Sequence, residues 1–285
     1  MSSSVSHALR RRVLVAGCGF TGLIVSRLLH QKGWEVVALT ASALTAKPLA
    51  DEPFDVFGID INDRDGLTAL GRFDAIIHAA SSGRRGGDAY RSVYLEGSRT
   101  LLETFQPRRF IFSSSTSVYA QTDGSVVTEE SPANPERETG KILREAEELV
   151  LAAGGHVARL AGIYAPGRWV TLERFLDGTA VLEGDGSRVI NQIHRDDAAA
   201  ALIFLLDAPP GIYNVTDGCP LTQKELYTAI AEHFGRPLPP YGPVNTERKR
   251  GWTNKRVSNA KLTGLGWAPR YCTFQQALLG ELALH

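Results

Sequence analysis

Cysteine is scarce in this chain. Its 285 residues hold 3, at positions 18, 219 and 272, an odd number at wide spacing. They make no C-x-x-C pair and no Cys/His metal-ligand spacing, so neither a disulfide framework nor a metal site is expected. A reducing compartment, the cytoplasm, is implied. Net charge is missing too, with 31 Lys plus Arg against 31 Asp plus Glu. Without a positive field, neither nucleic acid nor an anionic membrane surface is an expected partner. The one basic run, Arg10-Arg11-Arg12, reads as a solvated lead-in to a strand. No run approaches the ~20 apolar residues of a membrane span. The first twelve residues lack the apolar core of a secretion signal.

What the chain does have is glycine in a pattern. Val13, Leu14 and Val15 run into Gly17-x-Gly19-x-x-Gly22, and a helical pattern (Leu23, Ile24, Leu28, Leu29) follows, closed by Gly33. A buried strand, a glycine turn and a helix start form the dinucleotide-binding fingerprint. Gly17 permits the tight turn, Gly19 lets backbone approach a pyrophosphate, and Gly22 lets helix and strand pack closely. The helix N-terminus, with Phe20 and Thr21 leading into it, offers unpaired N–H groups to that pyrophosphate.

Beyond the fingerprint, strand and helix patterns alternate, which predicts a doubly wound parallel sheet, an α/β Rossmann fold. Strands are expected at 35–39, 54–57, 73–78, 109–112, 156–160 and 212–215. Helices are expected at 63–70, 89–105, 138–152, 198–206, 221–234 and 274–282. The alternation weakens after Gly162. Residues 1–165, with 190–215 returning to them, are therefore read as the nucleotide domain. Residues 166–189 and 216–285 are read as a small substrate-binding cap over the C-terminal edge of the sheet, where ligands bind in open α/β folds.

The end of the second strand bears on the choice of cofactor. A carboxylate there would hold a free ribose 2′-hydroxyl, but the sequence runs Thr40-Ala41-Ser42, with Lys47 further on. Hydroxyls plus a lysine suit a 2′-phosphate, so NADP(H) is favoured and NAD(H) remains possible. Asp60, beside Ile61, can face an adenine or cap its own loop.

Several further motifs carry a family resemblance. Phe112-Ser113-Ser114-Ser115-Thr116-Ser117-Val118-Tyr119 resembles the serine strand of extended short-chain dehydrogenases/reductases, the NAD(P)-dependent epimerase/dehydratase group. H-A-A-S (78–81), R-L-A-G-I-Y-A-P-G-R (159–168), N-Q-I-H-R-D-D (191–197) and G-I-Y-N-V (211–215) resemble that group's other motifs, in its order. The resemblance spans Val13 to about Leu282. It implies that Ala79, Ala80, Ser81, Ser113 and Ile163 meet the cofactor and that Thr116 is placed for substrate, while Arg168 either meets an anionic substrate group or caps its loop and Asn191 either meets substrate or forms a turn. A dimer through the helices at 89–105 and 138–152 is implied as possible.

The family's active site does not carry over intact. Its tyrosine acid/base falls on Thr139, its lysine on Leu143 and its helix asparagine on Tyr94, while Ser115 is kept. A threonine hydroxyl is far too weak an acid to substitute near neutral pH, and leucine can neither tune it nor bind ribose. The chain is thus similar to an atypical branch, the nucleoside-diphosphate-sugar epimerase-like subgroup. Ser115, His194 and Tyr164 are the expected catalytic candidates, with Tyr119 and Lys141 also near the motifs. Histidine needs the least tuning to move a proton near neutrality. Tyr94 is expected in the core. The favoured function is an oxidoreductase or epimerase acting on a small polar or sugar-like substrate. The alternative is an NADP(H)-binding sensor without turnover.

Overall fold

The computed structural model describes residues 11–83, 86–245 and 252–282. Arg10 of the basic lead-in, and Arg84 and Arg85 of the loop after the H-A-A-S motif, lie outside them. Seven strands form one parallel sheet: β1 (Arg12–Ala16), β2 (Glu35–Thr40), β3 (Asp55–Gly58), β4 (Ala75–His78), β5 (Arg109–Ser115), β6 (His156–Leu160) and β7 (Gly211–Val215). Their spatial order is β7-β6-β5-β4-β1-β2-β3. The order reverses between β1 and β4, and that switch point is where a Rossmann sheet opens its ligand crevice. Central strands buried on both faces read as unbroken apolar runs rather than alternating ones. Val13, Leu14 and Val15 are each fully buried, as are Ile76, Ile77, Ile111 and Phe112.

The longer helices are α1 (Gly22–Gln31), α2 (Gly97–Phe105), α3 (Glu138–Ala152), α4 (Val170–Leu176), α5 (Arg195–Phe204), α6 (Gln223–Phe234) and α7 (Phe274–Leu282). Two apolar cores flank the sheet. Val25 and Leu29 of α1 pack with Ala198 and Leu202 of α5 on one face. Leu101 of α2 packs with Ile142 and Val150 of α3 on the other. A third core stands apart from both, built from Trp169, Leu172, Phe175, Leu226, Ile230 and Phe274 of the post-162 segments. Local signals delimit its helix α6. Thr222 and Glu225 close a capping box at its start, and Gly235 ends it at φ +60°.

Two departures from the expected elements matter for the site. Strand β5 runs on through the serines, because β6 offers backbone partners as far as Ser115 against Leu160. Sheet pairing there overrides the weak strand preference of serine. The helix expected at 89–105 is divided: Gly87–Tyr90 is α, Arg91–Glu96 is π-helical, and α2 follows. The carbonyl of Val93 in the π turn accepts a hydrogen bond from His78 Nε2 at 3.0 Å. The turn is thereby tied to the end of β4. No described helix is long and apolar enough to cross a membrane.

Candidate functional site

The glycine loop has the geometry its spacing predicts. Gly17 sits at φ +102°, and a Cβ there would come within 2.3 Å of the Ala80 backbone. A Cβ at Gly22 would stand 2.0 Å from the Gly17 carbonyl oxygen, whereas one at Gly19 would meet nothing within 4 Å. Gly17 and Gly22 therefore hold the turn together, and Gly19 faces open space. The Gly17 and Cys18 amides donate to the Leu39 carbonyl at 3.0 and 2.6 Å, which fastens the loop to β2. Among the described residues, the amides of Phe20, Thr21 and Gly22 form no backbone hydrogen bond. They stand at the N-terminus of α1, where unpaired amides and the helix dipole favour an anion.

The loop opens on a cleft of about 730 Å³. Its walls include Phe20, Thr40, Ala79, Ala80, Ser81, Ser113, Ser115, Ile163 and Arg168, all anticipated from the sequence. A side cavity of about 120 Å³ adds Asp60 and Ile61. The Asp60 carboxylate accepts the Asn62 amide at 2.9 Å, so it caps its loop while bordering this cavity. The cleft fits a dinucleotide in volume, in its bare glycine wall and in its free amides. Ser113 Oγ is buried without a partner, as expected of a group that meets a polar ligand.

The adenosine end, beside β2, is built differently from the expectation. The Thr40 hydroxyl donates to the Ser42 carbonyl at 3.1 Å, and Ser42 Oγ accepts the Thr45 amide in a capping box. Ser42 and Lys47 are exposed and stand off the cleft wall, because the chain turns into the short helix Ala43–Ala46. At this end the cation that borders the cleft is Arg27 of α1, which no local motif marks.

At the opposite end the wall is formed by the serine run, Tyr90, Tyr94 and Leu143. Leu143 is part of this wall, while Thr139 does not reach it and Lys141 is exposed. Ser115 Oγ accepts the Ser117 amide at 3.2 Å, capping the turn Thr116–Val118. Thr116 itself is buried off the wall. Tyr94 is 9% exposed, and its ring meets those of Tyr90 at 4.9 Å and Phe112 at 6.2 Å. It is core, as expected, yet it also borders the cleft. Arg168 and Arg195 each lie over the Phe20 ring, at 5.3 and 5.2 Å.

Three candidates stand elsewhere. His194 is fully buried; its Nδ1 accepts the Asp196 amide at 3.3 Å, capping α5, and burial holds its pKa below the usual imidazole value. Tyr164, paired with it across adjacent strands, packs against Trp169 and Phe274, and burial raises its pKa. Neither is among the residues that line the cleft, and both are packed as interior side chains. Asn191 is likewise engaged away from it, donating to the Lys255 carbonyl at 2.9 Å and accepting the Val257 amide at 2.8 Å.

A buried network behind the serine strand also went unread. Glu147 and Arg159 are 0% and 1% exposed, with Arg159 Nη2 2.7 Å from Glu147 Oε2. Ser114 donates to Glu147 at 2.6 Å, and Arg159 donates to the Tyr119 hydroxyl at 2.9 Å. Tyr119 Oη also lies 2.8 Å from Asn214 Oδ1, so Tyr119 is a structural member of this network. The available signal was a single arginine within the buried strand H-V-A-R-L.

Comparison with known proteins agrees with this geometry. The model of the NAD dependent epimerase/dehydratase family matches residues 13–216. Protein YeeZ of Escherichia coli K12 is 31% identical over 250 residues, covering 81% of this chain and 86% of its own. The Bacillus subtilis spore coat polysaccharide biosynthesis protein SpsK is 26% identical, covering 79% and 80%. Among solved structures, an epimerase/dehydratase-class protein from Methylobacillus flagellatus superposes with a TM-score of 0.78 at 28% identity, over 96% of this chain and 98% of that one. The Thermotoga maritima UDP-glucose 4-epimerase shares the fold, with a TM-score of 0.83 at 22% identity over 95% and 97%. The chain belongs to the NAD dependent epimerase/dehydratase family, and so to the nicotinamide-dependent oxidoreductases and epimerases of the short-chain dehydrogenase/reductase superfamily.

Proposed function

We propose that this protein carries out nicotinamide-dependent redox or epimerase chemistry, with NADP(H) favoured, on a small polar or sugar-like substrate, without a Tyr-x-x-x-Lys pair. The bound cofactor would supply or accept a hydride at its nicotinamide ring. The observation that carries the rest is the wall beside Ser115, where Tyr94 and the apolar Leu143 both line the cleft. Gly17, Gly19, Phe20, Thr21 and Gly22 would cradle the pyrophosphate. Ala79, Ala80, Ser81, Asp60 and Ile61 would line the adenosine, with Ser113 and Ile163 nearer the ring. Ser115 would hydrogen-bond the reacting oxygen or nitrogen.

Tyr94 is the side chain on this wall best suited to hold the proton, since a phenol is far more acidic than a threonine hydroxyl. Its place on a π turn fits that role, because such turns re-aim side chains and recur at functional sites. Arg168 would meet an anionic part of the substrate. Residues 166–189 and 216–285 would form the cap that closes over it, and a homodimer through α3 and the 87–105 helices is the quaternary arrangement to test.

The deciding experiment incubates the protein and deuterated NADPH with fractionated metabolite pools. A labelled product is expected, reduced at least tenfold in Ser115→Ala and in Tyr94→Phe. Tight NADPH binding with neither label transfer nor an epimerised product in any pool would favour the non-turnover sensor instead. Label transfer unchanged in Tyr94→Phe would remove the tyrosine from the chemistry.

A further inference from the structure

The adenosine end of the cleft is bordered by Arg27, Thr40, Ala41, Thr45, Pro48 and Leu49, none of them acidic. The hydroxyls there are turned to the backbone: Thr40 Oγ1 and Thr45 Oγ1 both donate to the Ser42 carbonyl, at 3.1 and 2.9 Å. The neighbouring Cys18 thiol stays protonated, burial pushing its pKa up to about 11, so no thiolate repels an anion.

Arg27 is the remaining charge on that wall, and it is held in one orientation. Its Nε lies 2.9 Å from Glu52 Oε2, and its Nη2 lies 2.5 Å from Glu52 Oε1. The guanidinium is thus gripped along one edge by a carboxylate that is only 12% exposed, while the arginine side chain is 48% exposed. Among the described residues, Nη1 donates no hydrogen bond. A guanidinium is a planar fork whose N–H groups match phosphate oxygens, and fixing one edge presents the other with less rotamer entropy left to lose.

We infer that Arg27 reads the 2′-phosphate of NADP(H), and that Glu52 is the positioning residue that holds its guanidinium toward the cleft. The inference rests on the nicotinamide-dinucleotide reading above and moves the basis of NADP(H) preference from the end of β2 to helix α1. A ribose 2′-hydroxyl carries no charge for Arg27 to meet, so its weight falls on the phosphorylated cofactor alone.

The test is a fluorescence titration of the full chain with NADPH and with NADH, with 2′,5′-ADP and 5′-AMP as displacing probes. Arg27→Met is expected to weaken NADPH and 2′,5′-ADP by about tenfold or more, as loss of a charge-assisted pair implies. NADH and 5′-AMP should stay within about twofold, which also shows that the variant is folded. Glu52→Ala should narrow the NADPH-to-NADH gap severalfold, and Glu52→Gln, which keeps an acceptor oxygen, should restore it. An unchanged gap in Arg27→Met, or an equal loss of both cofactors, would overturn the inference. An Ala variant at 52 with the wild-type gap would strip Glu52 of its part. Equal affinity of the wild type for both cofactors sinks this inference and the NADP(H) preference while leaving the dinucleotide reading intact. Failure to bind either cofactor overturns that reading as well.

Discussion

Gly17 and Leu143 show how much a single side chain can decide. Gly17 combines a left-handed backbone with a contact that leaves no room for Cβ. Gly17→Ala is expected to abolish NADPH binding, because relieving a 2.3 Å approach to Ala80 means moving either the loop or the end of β4. Retained affinity in the same fluorescence titration would contradict that view. Leu143 acts by what it lacks. An apolar, 4% exposed residue in the wall cannot lower a neighbour's pKa or bind ribose. Threonine at 139 and leucine at 143 were legible from the sequence. That Tyr94 stands on the same wall was not, because a linear helix pattern does not show where a π turn re-aims a ring.

Among the elements, β6 and α3 are locked together by a buried charge pair that also holds β5. Glu147 comes from α3 and Arg159 from β6, and Ser114 of β5 donates to the same carboxylate. Removing Arg159 leaves the buried Glu147 carboxylate only Ser114 and the quarter-exposed Arg144, at a cost of up to about 3–5 kcal/mol, while replacing both by apolar groups can be nearly neutral. Arg159→Met is therefore expected to lose about that much stability in urea unfolding. The double variant Arg159→Met/Glu147→Leu should recover much of it. A single variant as stable as wild type would mean that the pair is dispensable. The pair also supports the serine strand from behind, so Arg159→Met should weaken cofactor binding through a displaced β5. Strand and helix existence along the chain followed from periodicity, with α3 and β6 matching their expected bounds. The extension of β5 through three serines did not, since it depends on β6 lying alongside.

For the molecule as a whole, a buried acid just past β7 makes folding pH-dependent. Asp217 is 5% exposed, and burial pushes its pKa up to about 7 from the ordinary 3.8, with the nearby Asp197 adding to the rise. Its carboxyl accepts the Cys219 amide at 3.0 Å. A carboxyl whose folded pKa is raised favours the folded state most at low pH. As pH climbs from about 4 to about 7 the unfolded chain releases its proton first, so this contribution is lost across that window. Asp217→Asn keeps an acceptor for the Cys219 amide and does not titrate. Its melting temperature relative to wild type should therefore rise between pH 4 and pH 8, as followed by thermal unfolding. A constant difference across that range would show that Asp217 is ionised in the fold.

Glycine spacing, apolar runs and their alternation determined the Rossmann sheet, its crevice and the cofactor class, because each is a local property of backbone and side-chain period. Composition alone set aside disulfides and nucleic acid as expectations. The tertiary structure decided what distance along the chain conceals. His194 and Tyr164 sit in motifs that run toward the cleft, yet adjacent pairing turns both into packed interior. Arg27 and Glu52, twenty-five residues apart, meet only because α1 and the segment before β3 converge beside the glycine loop. Burial, charge pairing and the aim of a side chain are properties of neighbours, and neighbours are assigned by the fold.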